Sequence, residues 1–414
     1  MHEPKKLEES NRENASANPV MIRTFILKVA SRCNLNCNYC YVYNKGDDTY
    51  LSQPQRMSDR VAAAAIDRVR DYCLTNRLDQ VEFIFHGGEP LLAGREFFER
   101  FVARANEQLL PKITPSFNMQ TNGTLLDRRW LDLMLRLNIG FGISLDGPKE
   151  INDANRVDYF GRGSYDRVRA AIDLILSTPR MEERFGGILT VINLQADPLA
   201  LHRFFRGLGV SSVDFILPDG QHDNPPADLS LDGSDTPFAD WLIPIFDAWF
   251  NEGDPSFQIR LFQNILDLVF GGKQTLDSIG GGQNGILVIE TDGGIEPVDV
   301  LKICGNGFTK LGYNVISNDI QDVYQSSLIA KYQSGLNSLC GNCNSCPIRD
   351  VCGGGYLPHR YSSLNGFDNP SVYCRDLKKL IVHIRNAMLT SLPDGLRRKL
   401  GLMPIFLDGQ PVVS

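Results

Sequence analysis

The chain has 414 residues and a formal net charge of −7 at pH 7, with 43% hydrophobic and 22% charged residues. That length exceeds one ordinary compact domain and suits a barrel-sized domain with a smaller one appended. The acidic balance argues against a nucleic-acid-binding surface, and no apolar run approaches the ~20 residues of a membrane span, so neither nucleic acid nor membrane is expected as a partner.

Residues 1–21 are rich in Glu, Asn, Ser and Lys, lack the apolar stretch of a secretory signal, and are expected to form a flexible tail. The ten cysteines fall in groups: three within 33–40, four within 340–352, and Cys73, Cys304 and Cys374 apart. Such grouping suits metal ligation in a reducing compartment better than disulfides, and a cytoplasmic protein is expected.

Between about residues 24 and 217, six β-branched or aromatic runs (24–30, 81–86, 117–121, 140–145, 187–193 and 213–217) alternate with amphipathic helical stretches. This is the βα pattern of a parallel sheet. Ser58 is placed to cap the first helix, and further helices are expected over 96–110, 126–137 and 165–177. The fold class predicted is α/β, a partial (β/α)6 barrel with ligands at the C-terminal ends of its strands. A polar, Pro- and Asp-rich stretch, 218–236, marks the clearest boundary. Helical segments over 241–268, broken at Gly253-Asp254-Pro255, precede a hairpin-like pair at 286–290 and 295–298, and a last helix starts near Cys374. The division expected is a tail 1–21, a barrel 22–235, a helical bridge 236–285, a cysteine-bearing domain 286–392 and a tail 393–414.

Chemistry concentrates at the predicted strand ends. Cys33, Cys37 and Cys40 form a CxxxCxxC loop after the first strand. A [4Fe–4S] cube takes one thiolate per iron, so three ligands leave one iron open to an exogenous group. His86-Gly87-Gly88-Glu89-Pro90 follows the second strand, where glycines let backbone approach a ligand; His86 either contacts that ligand or merely ends the strand. Asn122 ends the third. Ser144 and Asp146 end the fourth, where a hydroxyl and a carboxylate suit ribose hydroxyls, and the guanidinium fork of Arg156 suits a carboxylate.

The triplet, with Tyr39 before its last Cys, resembles the radical S-adenosylmethionine (SAM) enzymes, in which the amino and carboxylate groups of SAM chelate the fourth iron. In that register His86 through Pro90 resemble the GGEP motif, and Ser144, Asp146 and Arg156 resemble a pattern of the sulfatase-maturating enzymes, with Asn152 where a His is usual. The resemblance makes Tyr39, His86, Gly87, Gly88, Glu89, Pro90, Asn122, Ser144, Asp146 and Arg156 the SAM-binding set.

Cys343, Cys346, Cys352 and Cys374 form CxxCx₅C plus a late Cys. Four thiolates with a CxxC pair also describe tetrahedral zinc. The SAM motifs upstream favour a cluster, and this part is similar to the SPASM domain of radical SAM peptide maturases, whose second auxiliary [4Fe–4S] cluster uses that spacing. The family's first auxiliary site is missing: Val298 and Tyr356 stand where it has cysteines. Cys304 and Cys340 are left over, either ligating a cluster of non-standard position or lying as ordinary buried thiols, and Cys73 belongs to the core. Asp299 is in register with the family's general base, although a solvated hairpin carboxylate is an equal reading.

The resemblance spans roughly residues 22–390 and points to the maturases that build cyclophanes in ribosomally synthesised peptides. It implies SAM, a SAM-binding [4Fe–4S] cluster, at least one auxiliary [4Fe–4S] cluster, a precursor peptide substrate and an external low-potential electron donor. The implied reaction removes hydrogen from a peptide β-carbon and joins that carbon to an aromatic ring, with Asp299 taking the proton lost. Oxidation of Ser or Cys to formylglycine on a sulfatase is the rival reaction, and a non-catalytic SAM- and peptide-binding scaffold is the rival of another class.

Overall fold

The computed structural model describes residues 20–393, together with residue 395 and a short strand pair, Phe406–Leu407 with Gln410–Pro411. The two expected tails lie almost wholly outside the described residues. The chain alternates β1 (Thr24–Ala30), α1 (Asp59–Thr75), β2 (Gln80–Gly87), α2 (Arg95–Leu109), β3 (Thr114–Thr121), α3 (Arg128–Leu137), β4 (Ile139–Ser144), α4 (Lys149–Asn155), α5 (Tyr165–Leu176), β5 (Phe185–Val191), α6 (Pro198–Gly207) and β6 (Ser212–Ile216). Strands β1 to β6 pair in chain order and all in parallel, the open barrel the sequence predicts. Ser58 caps α1, its side chain accepting from the Val61 amide at 3.2 Å, and Asp127 and Asp197 cap α3 and α6 in the same way.

Alternation along β1 decides the two faces of the sheet. Phe25, Leu27 and Val29 are fully buried, and the register carries that face across the sheet: Phe25 pairs with Phe83 and then Phe117, Leu27 with Phe85, Met119 and Phe141. Each such aromatic contributes about 1.5–3 kcal/mol by leaving water. The opposite face is polar. Lys28 pairs with His86, and Ser144 with Leu189 and then Asp214, so the concave side presents hydrogen-bonding and charged groups rather than a filled core.

The sheet is wider than six strands. After α7 (Pro237–Glu252), which ends at Gly253 with φ +59° at the predicted break, β7 (Gln258–Ile259) joins β6 and leads into α8 (Arg260–Val269). On the other edge β8 (Ile286–Ile289) runs parallel to β1 and turns back as β9 (Gly294–Glu296), which pairs with β10 (Tyr313–Asn314). The hairpin read in the sequence near 286–298 therefore continues the barrel sheet, with Leu287 in register with Phe25.

Among the described residues the remaining chain carries the α-helices α9 (Ser327–Gln333), α10 (Gly341–Asn344), α11 (Arg349–Cys352) and α12 (Cys374–Ser391). Asp376 on α12 accepts from the Phe238 and Ala239 amides at 2.8 and 2.9 Å, satisfying the first turn of α7. The 218–236 stretch is tied to this end of the chain: the His222 amide donates to the Tyr361 carbonyl at 3.0 Å and the Tyr373 hydroxyl to the Pro218 carbonyl at 2.6 Å. Among the described residues no helix is long and apolar enough to cross a membrane.

Candidate active site

Cys33, Cys37 and Cys40 sit on the loop leaving β1, close enough for the three thiols to act on one another electrostatically. Burial, then Glu89, pushes the Cys33 thiol up to about 12, so its thiolate depends on a bound cation. The loop is pinned from the side by the Asn36 amide donating to Val157 (2.7 Å) and the Asn38 amide to Asn155 (3.2 Å). From below, the Gly88 amide donates to Ala30 (2.8 Å) and the Glu89 amide to Arg32 (3.0 Å). The glycines make that approach possible. A Cβ on Gly87, where φ is +145°, would lie 2.1 Å from the Ala30 oxygen, and one on Gly88 would meet the Tyr43 hydroxyl at 1.9 Å and the Arg32 carbonyl at 2.5 Å. Gly87 and Gly88 thus seat the cysteine loop on the end of β2.

Glu89 is fully buried and saturated, accepting from the Asn122 amide (2.8 Å), the Thr121 hydroxyl (2.7 Å) and the Leu91 amide (3.0 Å). It binds the ends of β2 and β3 together, with Pro90 in the turn behind it. The Asn122 side chain donates to Asn34 at 2.8 Å and lies 3.6 Å from the Cys33 sulfur.

At the end of β4, buried Asp146 and Arg156 converge on Tyr39. The Tyr39 hydroxyl donates to Asp146 and accepts from Arg156 Nη1 at 2.7 Å, and Arg156 Nη1 stands 3.9 Å from the other Asp146 oxygen. Asn152 is fully buried and holds this loop, accepting from the Asp146 amide at 3.2 Å and donating to Ser164 at 3.0 Å. Ser144 accepts from Gln120 at 3.0 Å. Arg156 Nε is buried and has no hydrogen-bond partner among the described residues. A buried guanidinium N–H beside the Cys37 loop without an acceptor fits a ligand carboxylate.

The concave face also carries a charged group centred on Asp299, in the 3₁₀ turn after β9. Asp299 is ion-paired with Lys28 of β1, accepts from the Tyr41 hydroxyl at 2.6 Å, and is buried. Lys28 Nζ is also 3.0 Å from His86 Nδ1. Burial alone would favour the neutral acid, but Lys28, His86 and Tyr41 outweigh it and hold the Asp299 carboxyl well below the usual carboxylate range. Burial and then Lys28 pull the His86 imidazole down to about 4, so it is neutral at pH 7. Asp299 is not the solvated hairpin carboxylate of the alternative reading. A cavity of about 470 Å³ lies at the opposite, N-terminal end of the strands, lined by Thr114, Asn118, Gly140 and Phe185 among others, and touches none of these groups.

The second set of thiols gathers around α10, α11 and the start of α12. Cys340, Cys343, Cys346, Cys352 and Cys374 act on one another electrostatically. Among the described residues no three His, Cys, Asp or Glu side chains surround a single-ion position. Cys304 stays apart: it packs with Val298, Leu301, Tyr332, Tyr356 and Leu357, away from the other thiols. That same apolar cluster holds both positions where the resemblance expected cysteines, Val298 and Tyr356. Nearby, Lys302 is buried among Glu290 (2.9 Å), Glu296 (3.2 Å) and Asp47 (3.9 Å). Hydrophobic packing, with an ion-pair network nearby, thus surrounds the two positions where the resemblance expected cysteines. Cys73 is in the core, as expected.

Sequence reading assigned Lys28, Tyr41 and Lys302 no role in the site, although Cys40-Tyr41-Val42-Tyr43-Asn44 and Val298-Asp299-Val300-Leu301-Lys302 are among the segments that carry the resemblance. Lys28 had a signal: the alternation of Phe25, Leu27 and Val29 puts it on the other face of β1, which in a barrel is the concave one.

Residues 27–178, which include the cysteine loop at the end of β1, match the Radical SAM superfamily. Over most of its length the chain is similar to anaerobic sulfatase-maturating enzymes. It is 26% identical over 359 residues to the cysteine-type enzyme of Clostridium perfringens, covering 86% of this chain and 94% of that one. It is 25% identical over 379 residues to the serine-type enzyme of Bacteroides thetaiotaomicron, covering 86% and 87%. The solved structure of native anSMEcpe with bound AdoMet and Kp18Cys peptide superposes with a TM-score of 0.75 at 24% identity, over 89% of this chain and 98% of that one. Streptococcus suis SuiB bound to the precursor peptide SuiA gives 0.51 at 16% identity, over 82% and 72%.

Proposed function

We propose that this radical SAM enzyme oxidises a side chain of a peptide at its β-carbon, in the manner of the sulfatase maturases, with a Cys or Ser as target. Similarity to cysteine- and serine-type maturating enzymes along about 86% of the chain carries this reading. The alternative favoured by a specific observation is cross-linking of the β-carbon to an aromatic side chain. Its support is the apolar cluster of Val298 and Tyr356, which replaces a metal ligand set by packing and so departs from the sulfatase-maturating pattern.

When bound, the cluster and SAM would supply the radical chemistry that takes the β-hydrogen. The protein's part is position and proton handling. Cys33, Cys37 and Cys40 hold the cluster, with Gly87 and Gly88 seating their loop. Arg156, aligned by Tyr39 and Asp146, takes the SAM carboxylate on its unpaired Nε. His86, Asn122 and Ser144 line the same strand ends. Asp299 receives the proton that the substrate loses on oxidation; because Lys28 holds it as a carboxylate, its pair with Lys28 has to loosen as the proton arrives. Cys343, Cys346, Cys352 and Cys374 would hold an auxiliary cluster, which would supply a one-electron redox centre.

The test is product analysis. Anaerobically reconstituted full-length enzyme, given SAM, reductant and the Kp18Cys peptide, should convert the Cys to an aldehyde. If Kp18Cys is untouched while an aromatic-containing precursor peptide loses two hydrogens and gains a carbon link, the cross-linking reading replaces it.

A further inference from the structure

We propose that Arg360 is the counter-cation of the auxiliary cluster and sets how readily that cluster is reduced. Arg360 ends the 3₁₀ helix Leu357–Arg360, which follows Cys352 by way of Gly353, Gly354 and Gly355, and it is 3% exposed. All its hydrogen-bond partners are neutral carbonyls: Nη2 donates to Ser338 (2.5 Å) and Phe367 (3.0 Å), and Nε to Asn369 (3.3 Å). Among the described residues no carboxylate is within ion-pair distance of it; Asp368, the carboxylate that acts on it, is exposed. The thiols of Cys343, Cys340 and Cys352 also act on it, as does the half-buried Lys331 cation. Gly354, close to Cys352 in the chain, adjoins Arg360 in space: a Cβ there would stand 3.6 Å from Arg360 Nη1, an ordinary contact distance.

A cation buried this deeply is costly unless an anion shares its site. Among the described residues, the anion-forming groups that act on Arg360 from comparable burial are the sulfurs of Cys340 and Cys343. A [4Fe–4S] cube with four thiolates is an anion whose negative charge grows by one on reduction, and net charge is among the factors that set cluster potential. A guanidinium held rigidly at its edge by three carbonyls stabilises the reduced state more than the oxidised one, and so raises the potential. This inference rests on the reading that Cys343, Cys346, Cys352 and Cys374 hold an iron–sulfur cluster, and not on what the enzyme does to its substrate.

The experiment uses full-length protein carrying Cys33, Cys37 and Cys40 to Ala, so that only the auxiliary centre gives a signal, without peptide. Iron content and an EPR-monitored redox titration are compared for Arg360, Arg360→Lys, Arg360→Gln and Arg360→Met. The neutral variants should keep their iron and shift the midpoint to more negative potential by at least a tenfold change in the reduction equilibrium, about 59 mV for one electron; Arg360→Lys should stay near the parent. Loss of iron from both neutral variants but not from Arg360→Lys also supports charge compensation. An unchanged midpoint in loaded Arg360→Gln, or loss of iron from all three variants, overturns the proposal. A parent with Arg360 intact that holds zinc or no iron instead overturns the cluster reading itself.

Discussion

Lys28, near the end of β1, and Asp299, in the turn after β9, form an ion pair whose side chains are only 4% and 5% exposed. The pair joins the barrel's first strand to the segment that has no metal ligand at Val298, and it puts the proposed proton acceptor on the concave face. Replacing Asp299 by Asn strands the Lys28 cation, which typically costs about 3–5 kcal/mol. Loss of a general base costs about 10²–10⁴-fold in rate. Asp299→Asn should therefore show a lowered denaturation midpoint, continued release of 5′-deoxyadenosine and a fall in oxidised peptide. The double variant Lys28→Met/Asp299→Asn separates the two roles: stability should recover and product should not. Recovery of product along with stability would leave the carboxylate a structural role only.

His86 gives the fold a pH dependence. Its folded pKa, about 4, lies below the ordinary 6.5 because burial and Lys28 disfavour the imidazolium. The unfolded chain therefore binds more protons between these values, and stability rises with pH across the window, fully present above about 6.5 and lost as pH falls toward 4. His86→Gln should flatten that slope in urea unfolding measured at a series of pH values. An unaltered slope would mean that folding leaves the His86 imidazole at its ordinary pKa.

Arg156→Lys keeps the positive charge and loses the planar fork. If Nε takes the SAM carboxylate, affinity for SAM should fall about 10- to 100-fold, the scale of a charge-assisted hydrogen bond. Iron content should not change, because the lysine keeps the positive charge that acts on Cys37. Equilibrium dialysis with labelled SAM checks this, and wild-type affinity would remove Arg156 from the carboxylate site.

Much of this arrangement was legible in the sequence because it is local. The six strands, the capped start of α1 after Ser58, the CxxxCxxC loop and the break at Gly253 each depend on periodicity or spacing within a few residues. What escaped depends on contacts distant in the chain. The pairing of β8 with β1 and the meeting of Lys28 with Asp299 follow from how the sheet edge is completed, which no local pattern encodes. Gly87 and Gly88 were recognisable as a close-approach motif, but the partner of that approach, the cysteine loop itself, appears only in three dimensions. Arg360 was invisible for another reason: a surface Arg and a buried one look alike until burial and partners are known.

The five thiols at the auxiliary site exceed the four corners of one cube. Cys340→Ala should keep about four irons per chain in the background lacking Cys33, Cys37 and Cys40, whereas Cys343→Ala should lose them. Cys304→Ala should change neither, since Cys304 packs in the apolar cluster with Val298 and Tyr356. Iron counting decides among the three; retention of iron by Cys343→Ala with loss in Cys340→Ala would transfer the ligand role to Cys340.

The claim that the protein takes hydrogen from a peptide β-carbon is tested most directly by isotope transfer. Full-length enzyme, reconstituted anaerobically with iron and sulfide and supplied with SAM and reductant, is incubated with Kp18Cys deuterated at the β-carbon of its Cys, and in parallel with a precursor peptide deuterated at its β-carbons. Deuterium should appear in 5′-deoxyadenosine with one of the two peptides, and the same peptide should emerge oxidised. Release of 5′-deoxyadenosine free of deuterium, with both peptides unchanged or modified elsewhere, would contradict it.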